Sequence, residues 1–221
     1  MNMNPNIAGR KPPSMQQLAK YNVNRANAIE VIWQPLYDFL VYPAAGQTAP
    51  FTFFQRSVGT AGTTLSDTNM LSAGQVPRPQ EFLVTGIQVV FIPAGDGAQG
   101  GLAVGLVQPN WVDVNAVAIE GNLVFSIGSK AYLREFPTGK FPPTFTIAGE
   151  GPRSDANVAA AAGLGFVDFA RSAGRYYSIT PVKIPANQNF DVTINFPALV
   201  AVDAAARIGV ILDGFLYRLS Q

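Results

Sequence analysis

Alternating apolar and polar positions recur in short runs along this chain, and they predict β-strands rather than helices. In the clearest run, Gln188–Phe196, every second residue from Phe190 to Phe196 is apolar and the residues between them are polar. This period of two predicts a strand with one buried face and one face toward water or a partner. Glu81–Ile92 is apolar at most positions of both faces, which predicts a central strand covered on each side.

Further segments with a short apolar pattern are also predicted as strands. Pro35 interrupts the first of them, and Pro181 and Pro185 lie in and after another, which restricts both segments to sheet edges or ends them. For the last segment, a continuous strand is favoured over a tight hairpin turn at Asp213-Gly214. The segments are Ala28–Tyr42, Phe51–Phe54, Gly101–Gln108, Trp111–Glu120, Asn122–Ile127, Thr144–Ala148, Tyr176–Ile184 and Arg207–Leu219.

The sequence offers few helices and one long loop. Ser14 and Gln17 are spaced as a capping box, which predicts a short helix over Met15–Ala26, and Ser154–Ala162 is the other helix candidate. Ser57–Gln80 is predicted as a loop, and its length indicates a functional or interface-forming role. Eight to ten short strands separated by Gly/Pro turns exclude a βαβ fold and predict an all-β antiparallel sandwich or barrel.

The chain is poor in charged side chains. They make up 13% of its 221 residues, about half of the roughly 25% that soluble domains carry. Because charged side chains seldom occupy a core unpaired, the deficit falls on the surface, which then resembles the inside of a subunit interface. We therefore expect copies of the same chain to cover much of this surface. The net charge is unevenly distributed along the chain, since the first 29 residues carry +4 and the others −3.

Histidine and cysteine are both absent from the sequence. These two side chains supply most general bases near neutral pH, most activated nucleophiles, and most zinc, copper and haem ligands. We therefore expect a protein that is not an enzyme, with no catalytic residues, no cofactor and no metal ion. The N-terminal residues show no apolar segment of a secretory signal, and no run of 18 apolar residues predicts a transmembrane helix.

Three polar features have both a chemical and a structural interpretation. As residues of one strand, Asp113 and Glu120 would lie on opposite faces and roughly 23 Å apart, which is too far for a glycosidase pair. Ser66–Asn69 has oxygen atoms for Ca²⁺ or a sugar, but a turn in which these side chains bond nearby backbone is favoured. Asp96-Gly97 lies in a glycine-rich turn without the lysine of a phosphate-binding loop.

Phenylalanine dominates the aromatic residues. Fifteen Phe against two Trp and seven Tyr favour core and interface packing over a surface that stacks sugars or bases. Trp33 and Trp111 are the two candidates for stacking. Both lie among apolar residues, so both are predicted to be buried.

The C-terminal part combines PANQNFDVTINFP at Pro185–Pro197 with a last strand, IGVILDGFLYRL, at Ile208–Leu219. Upstream, TLSDTNMLSAGQVPRPQ at Thr64–Gln80 leads into the doubly covered strand Glu81–Ile92. Over residues 50–219 this arrangement resembles the single jelly-roll major capsid proteins of small icosahedral bacteriophages and archaeal viruses. The resemblance implies a jelly-roll sandwich of two four-stranded sheets in residues 50–221. Residues 1–49 would form an N-terminal arm with a short helix and an extended segment.

The same resemblance implies a structural protein of the virion that self-assembles into an icosahedral shell. Its partners would be copies of itself in pentamers, trimers or pseudo-hexamers, other virion proteins, and, through weak contacts of the arm, a genome or internal membrane. We expect intersubunit contacts at the arm, at Ser57–Gln80 and at the C-terminal strand.

Two other classes of function stay open at this point. A lectin-like or carbohydrate-binding β-sandwich, on a phage spike or a cell surface, predicts exposed aromatic residues or an Asp/Asn cluster on a loop rim. An enzyme that uses carboxylates alone needs two acids that converge in one cleft.

Overall fold

The computed structural model describes residues 29–93, 111–143, 147–153, 165–171, 177–202 and 204–219. Within these residues the chain forms eleven β-strands, one α-helix and a 3-10 turn at Thr138–Lys140. The helix is α1 (Trp111–Glu120). The strands are β1 (Ile29–Trp33), β2 (Leu36–Tyr42), β3 (Phe51–Phe53), β4 (Glu81–Ile92), β5 (Asn122–Ile127), β6 (Lys130–Glu135), β7 (Ile147–Arg153), β8 (Gly165–Arg171), β9 (Tyr177–Ile184), β10 (Phe190–Asn195) and β11 (Ala206–Leu219).

Two antiparallel sheets contain most of these strands, which confirms the predicted all-β class and agrees with a sandwich. The first has the order β1-β11-β4-β9, and β2 also pairs with β11. Because β1 pairs with residues 215–219 of β11 and β2 with residues 206–212, the two strands follow each other along one edge, and this sheet is four strands wide. The second sheet has the order β3-β10-β5-β6, and β7 and β8 form a separate hairpin.

The pairs between strands are nested along the chain. The outermost pair is β2 with β11, followed inward by β3 with β10, β4 with β9 and β5 with β6. Two further pairs, β11 with β4 and β10 with β5, join these hairpin-like pairs side by side. β1 and β2 come from the segment that the sequence analysis assigned to an N-terminal arm, and both are integral to the first sheet.

Several predictions of individual strands are confirmed. Pro35 separates β1 from β2 at the edge of the first sheet, and β9, which contains Pro181, pairs only with β4 among the described strands. β4 lies between β11 and β9, as predicted for a strand that is buried on both faces. β11 is continuous, with a bulge rather than a hairpin turn at Asp213/Gly214.

The core lies between the two sheets and is rich in aromatic side chains. From β10 and β5, Val192, Ile194, Leu123 and Phe125 are completely buried, while the polar residues between them are only partly covered. The alternation read from the sequence of β10 therefore selects its core face correctly. Aromatic rings also connect the sheets, since the ring of Tyr42 stacks on Phe51 with centroids 5.3 Å apart.

Tyr42 supports a prediction of alkaline destabilisation. Its hydroxyl donates a hydrogen bond to the carbonyl of Val200 over 2.6 Å, and burial, followed by the charge of Asp113, raises the pKa of Tyr42 from 10.0 to about 12. Because folding raises this pKa, the stabilisation is complete below pH 10 and is lost as the pH rises through about 12. Tyr42→Phe should lower the free energy of unfolding at pH 8 by about 1 kcal/mol.

The same variant should lose less stability than the unsubstituted protein between pH 10 and pH 12. Urea unfolding at pH 8 and at pH 11.5, followed by circular dichroism, measures both effects. Burial also raises the pKa of Tyr217, which is present in both proteins and provides the common background. An equal loss of stability in the two proteins would contradict the assignment to Tyr42.

A second, smaller apolar cluster lies on the outer surface of the first sheet. It contains the buried residues Leu83, Phe215 and Tyr217, with Val31 packed against them. Gln88 and Asp213 are buried as well, and the Gln88 amide donates a hydrogen bond to the Asp213 carboxylate beside the bulge of β11. The inner face of β4 belongs to the main core, so β4 is buried on both sides.

The segment Trp111–Glu120 is a helix, and its prediction as a strand is wrong. Its alternating Val and Ala residues fit a strand. However, Val114 and Val117, three residues apart, are both buried, while Asn115 and Ile119, four apart, are both exposed. This spacing is that of a helix. Packing against the 3-10 turn stabilises it, since the hydroxyl of Thr138 donates a hydrogen bond to the carbonyl of Val117 over 2.9 Å.

Other predictions differ from the structure or fall outside it. β6 was not predicted, and β7 begins at Ile147, so it overlaps only the end of the predicted strand Thr144–Ala148. No helix among the described residues is long and apolar enough to cross a membrane. The predicted helices at Met15–Ala26 and Ser154–Ala162, the strand Gly101–Gln108 and the turn at Asp96-Gly97 lie outside the described residues.

Candidate functional site

The long loop Ser57–Gln80 closes one side of the sandwich. Its residues 67–69 run along β2. There the backbone amide of Phe39 donates a 2.8 Å hydrogen bond to the carbonyl of Asp67, and Asp38 and Thr68 form an antiparallel β-bridge. Further along the loop, the carbonyl of Gly74 accepts a hydrogen bond from the backbone amide of Phe190 in β10. The loop thus pairs with β2, an edge strand of the first sheet, and with the part of β10 that lies beyond the end of β3, where backbone groups would otherwise be unpaired.

The polar patch Ser66–Asn69 is used to hold this loop in place. Asp67 accepts hydrogen bonds from the backbone and the hydroxyl of Thr64, each 2.9 Å long, and these bonds lower the pKa of Asp67. The side chain of Asn69 bonds the backbone of Tyr37 and Pro35. Asp67 and Thr68 thus bond nearby backbone, as the favoured interpretation as a turn predicts, whereas Asn69 bonds backbone that is distant in sequence.

A buried ion pair anchors the start of the loop. The carboxylate of Asp38, on β2, is 0% exposed and lies 2.8 Å from the guanidinium of Arg56. It also accepts a 2.7 Å hydrogen bond from the backbone amide of Phe54, and Arg56 donates a further one to the carbonyl of Phe39. Burial raises the pKa of Asp38, against the opposing effect of Arg56 and of the amide of Phe54. This pair was not predicted from the sequence.

The acidic residues singled out in the sequence lie in a helix rather than in a strand. As helical residues seven apart, Asp113 and Glu120 lie on one side of α1 and roughly 10 Å apart along its axis, so the predicted strand geometry is wrong. Asp113 is buried near Tyr42, while Glu120 is half-buried at the end of the helix. Among the described residues, no group of three or more acidic side chains could hold a metal ion.

Large apolar side chains are exposed at many places on the described surface. Two of them, Leu65 and Leu71, project from the long loop and are 66% and 70% exposed. Trp33 is 52% exposed at the edge of the first sheet, so its predicted burial is wrong, and the side chain of Trp111 lies outside the described part of the chain. The other exposed members of this set are Val41, Ile92, Ile119, Tyr132, Phe136 and Leu199.

One of these apolar areas surrounds an ion pair on the outer face of the first sheet. Val41 and Ile92 are both cross-strand neighbours of Arg207 in β11, one on each side. The guanidinium of Arg207 lies 3.0 Å from the carboxylate of Asp67 and 5.2 Å from the ring centroid of Phe39. The area therefore combines exposed apolar surface with a charge that is already neutralised.

The C-terminal strand is less accessible than the sequence analysis supposed. β11 lies inside the first sheet, with β1 and β2 on one edge and β4 on the other, so neither edge is open to a strand of a neighbouring copy. The N-terminal residues 1–28 of the predicted arm lie outside the described residues. Of the three predicted contact regions, two therefore expose large apolar side chains in the described structure: the long loop, with Leu65 and Leu71, and the described part of the arm, with Trp33 and Val41.

The opposite side of the sandwich has a groove between β6 and β9. Each of these strands is the last in its sheet, and the groove between them has a volume of about 650 Å³. At one end, the Glu135 carboxylate accepts hydrogen bonds from Lys140 over 2.9 Å and from the hydroxyl of Tyr177 over 3.2 Å. The groove is lined by Tyr132, Leu133 and residues 177–183.

Comparison of the chain with protein-family models, curated protein sequences and solved structures finds no match.

Proposed function

We propose that this chain is a structural virion protein, a capsid subunit that self-assembles with copies of itself into an icosahedral shell. One observation carries the proposal: large apolar side chains are exposed at many places on a surface that has few charges. Where such side chains lie together, as Val41 and Ile92 do on either side of Arg207, their contact with water is unfavourable. Burial of this surface between subunits removes that cost.

The order of the strands supports a jelly-roll topology for the sandwich. A jelly roll has eight strands in two Greek keys and is an architecture of viral capsid domains and of lectins. It can be pictured as one long hairpin rolled up, which requires nested antiparallel pairs and chain crossings from one sheet to the other. The four nested pairs and the sheet orders β2-β11-β4-β9 and β3-β10-β5-β6 meet this requirement. In this description, β1 extends an edge of the sandwich and β7 and β8 are an insertion.

The distribution of exposed apolar residues favours assembly over a binding module with one site. They occur on the long loop, on the outer face of the first sheet, on α1 and in the connection between β10 and β11. A subunit of a closed shell has several neighbours and needs several contact areas, each of which need be only moderately strong. The virion is the corresponding location.

The oligomeric state of the purified full-length protein tests the proposal. At micromolar concentration we expect capsomers or closed shells, seen as fast-sedimenting species in the ultracentrifuge and as rings or spheres by negative-stain electron microscopy. Association should persist at 0.5 M NaCl, because burial of apolar surface is screened by salt far less than ion pairs are. A homogeneous monomer under these conditions would overturn the proposal.

A further inference from the structure

The groove between β6 and β9 exists because both strands leave their regular pairing at this point. In β6, Tyr132 is an extra residue between Ala131 and Leu133, which pair with consecutive residues of β5. In β9, the register with β4 shifts between Ser178 and Val182. Bulges of this kind bend a strand and redirect a side chain. Here they separate two edges that pair with no further described strand, and they turn Tyr132 outward.

The groove presents an aromatic ring next to hydroxyl groups. Tyr132 is 43% exposed, in contrast to the buried Phe125 beside it, whose ring centroid is 6.3 Å away. Ser178 and Thr180, two residues apart in β9, are both exposed on the other wall. Neither hydroxyl makes a hydrogen bond within the described part of the chain. Each therefore keeps its donor and acceptor capacity for a ligand.

This combination matches the chemistry of a sugar. A pyranose ring has a face of C–H groups, which packs on an aromatic ring, and a rim of hydroxyl groups, which needs hydrogen-bond donors and acceptors. The volume of about 650 Å³ lies within the usual range of small-ligand sites, and an open groove between two strands accepts a chain of sugars as well as one.

The charges around the groove favour a sugar that carries a carboxylate. Lys183 lies 3.4 Å from Glu81, and Lys140 lies 2.9 Å from Glu135. Each of these two lysines therefore forms an ion pair in which its charge is neutralised. Lys130 has no acidic partner within the described part of the chain, and its ammonium lies 4.9 Å from the ring centroid of Tyr132. The positive charge of Lys130 thus remains available at the aromatic wall.

We infer that the groove between β6 and β9 binds an acidic saccharide. The sugar ring packs on Tyr132, its carboxylate pairs with Lys130, and its hydroxyls bond Ser178 and Thr180. The inference is independent of the assembly proposed above, because it rests on the walls of one groove in a single subunit. On a shell it would give every copy a site for attachment to a charged glycan surface.

A glycan array with matched acidic and neutral members, probed with the full-length protein, tests this site. We expect binding to acidic members. In calorimetric titration with the best of them, Tyr132→Ala should weaken binding by about tenfold or more, whereas Tyr132→Phe, which keeps the ring, should stay within about threefold. Lys130→Gln should reduce the preference for acidic over neutral members by about fivefold. Trp33→Ala, which removes an exposed ring outside the groove, should leave glycan binding unchanged.

Circular dichroism and sedimentation show whether each variant keeps its fold and its assembly state. The inference is overturned if the unsubstituted protein binds no member of the array, or if Tyr132→Ala binds as well as the unsubstituted protein. It is also overturned if Tyr132→Ala changes the assembly state and leaves glycan binding intact, because the groove would then be a contact between copies.

Discussion

Replacing Leu65 and Leu71 together by aspartate is expected to abolish assembly and to leave a folded monomer. Both side chains are more than 60% exposed on the long loop, so their loss should change the stability of the subunit by less than about 0.5 kcal/mol each. In a contact, each leucine contributes roughly 1.5–3 kcal/mol by burial, and an unpaired carboxylate in its place adds a desolvation penalty. Association should therefore weaken by more than about a hundredfold.

Sedimentation velocity at a series of protein concentrations measures this change. The matched control is Thr52→Asp with Gln188→Asp, which introduces the same charge at two exposed polar positions and removes no apolar surface. The control should assemble like the unsubstituted protein. Normal shells from the leucine variant would show that the long loop is not a contact region, while the oligomeric state of the unsubstituted protein still tests the capsid proposal.

Replacing Asp38 by alanine is expected to destabilise the fold by about 2–4 kcal/mol. This is somewhat less than the roughly 3–5 kcal/mol for a fully buried pair, because Arg56 is partly solvated. The substitution leaves the backbone amide of Phe54 and the guanidinium of Arg56 without their carboxylate partner. It also releases the start of the long loop from β2. Urea denaturation followed by circular dichroism measures the loss.

Glu30→Ala provides the control for this variant. Glu30 pairs with Arg218 over 2.7 Å, a distance similar to that between Asp38 and Arg56. In contrast to that pair, the side chains of Glu30 and Arg218 are both almost half exposed. Exposed pairs of this kind contribute about 0–1 kcal/mol, so the comparison isolates the effect of burial. Equal losses in the two variants would contradict a special role for Asp38 in holding the loop.

The strands that the sequence predicted correctly are those whose burial is decided locally. In β10 the period of two is regular. Its neighbours β3 and β5 pair with its two edges and do not cover its faces, so the alternation alone indicates which face is buried. β4 was predicted as a central strand because both of its faces are apolar, and it is covered on both. Pro35 and Pro181 predicted breaks or edges because a proline lacks the amide that pairing requires.

The features that the sequence did not predict depend on contacts with distant residues. In α1, valine and alanine fit a strand as well as a helix, and packing of Val117 against the turn at Thr138 decides between them. A helix signal was present, since Asn110 precedes the segment and Asp113 falls in its first turn. The turn residues Gly128-Ser129 between β5 and β6 were likewise a hairpin signal.

The candidate sites depended still more on the tertiary structure. Asp38 lies in an apolar segment, and the sequence does not indicate which basic residue pairs with it. Arg56 reaches Asp38 because β3 lies beside β2 in the fold. Tyr132 is exposed because of a bulge, and Ser178 faces the same groove only because two strands far apart in sequence end their sheets on one side. The spacing of residues along the chain does not indicate which distant residues will lie close together in the fold.

The position of β11 has a consequence for synthesis on the ribosome. In the first sheet β11 lies between β4 on one side and β1 and β2 on the other. Strands β1 and β2 are therefore joined to β4 only through β11. While residues 206–219 are still inside the exit tunnel, the emerging chain cannot complete this half of the molecule. Contacts that span most of a chain also form slowly. The first sheet of a nascent chain is therefore completed only after β11 has emerged from the ribosome.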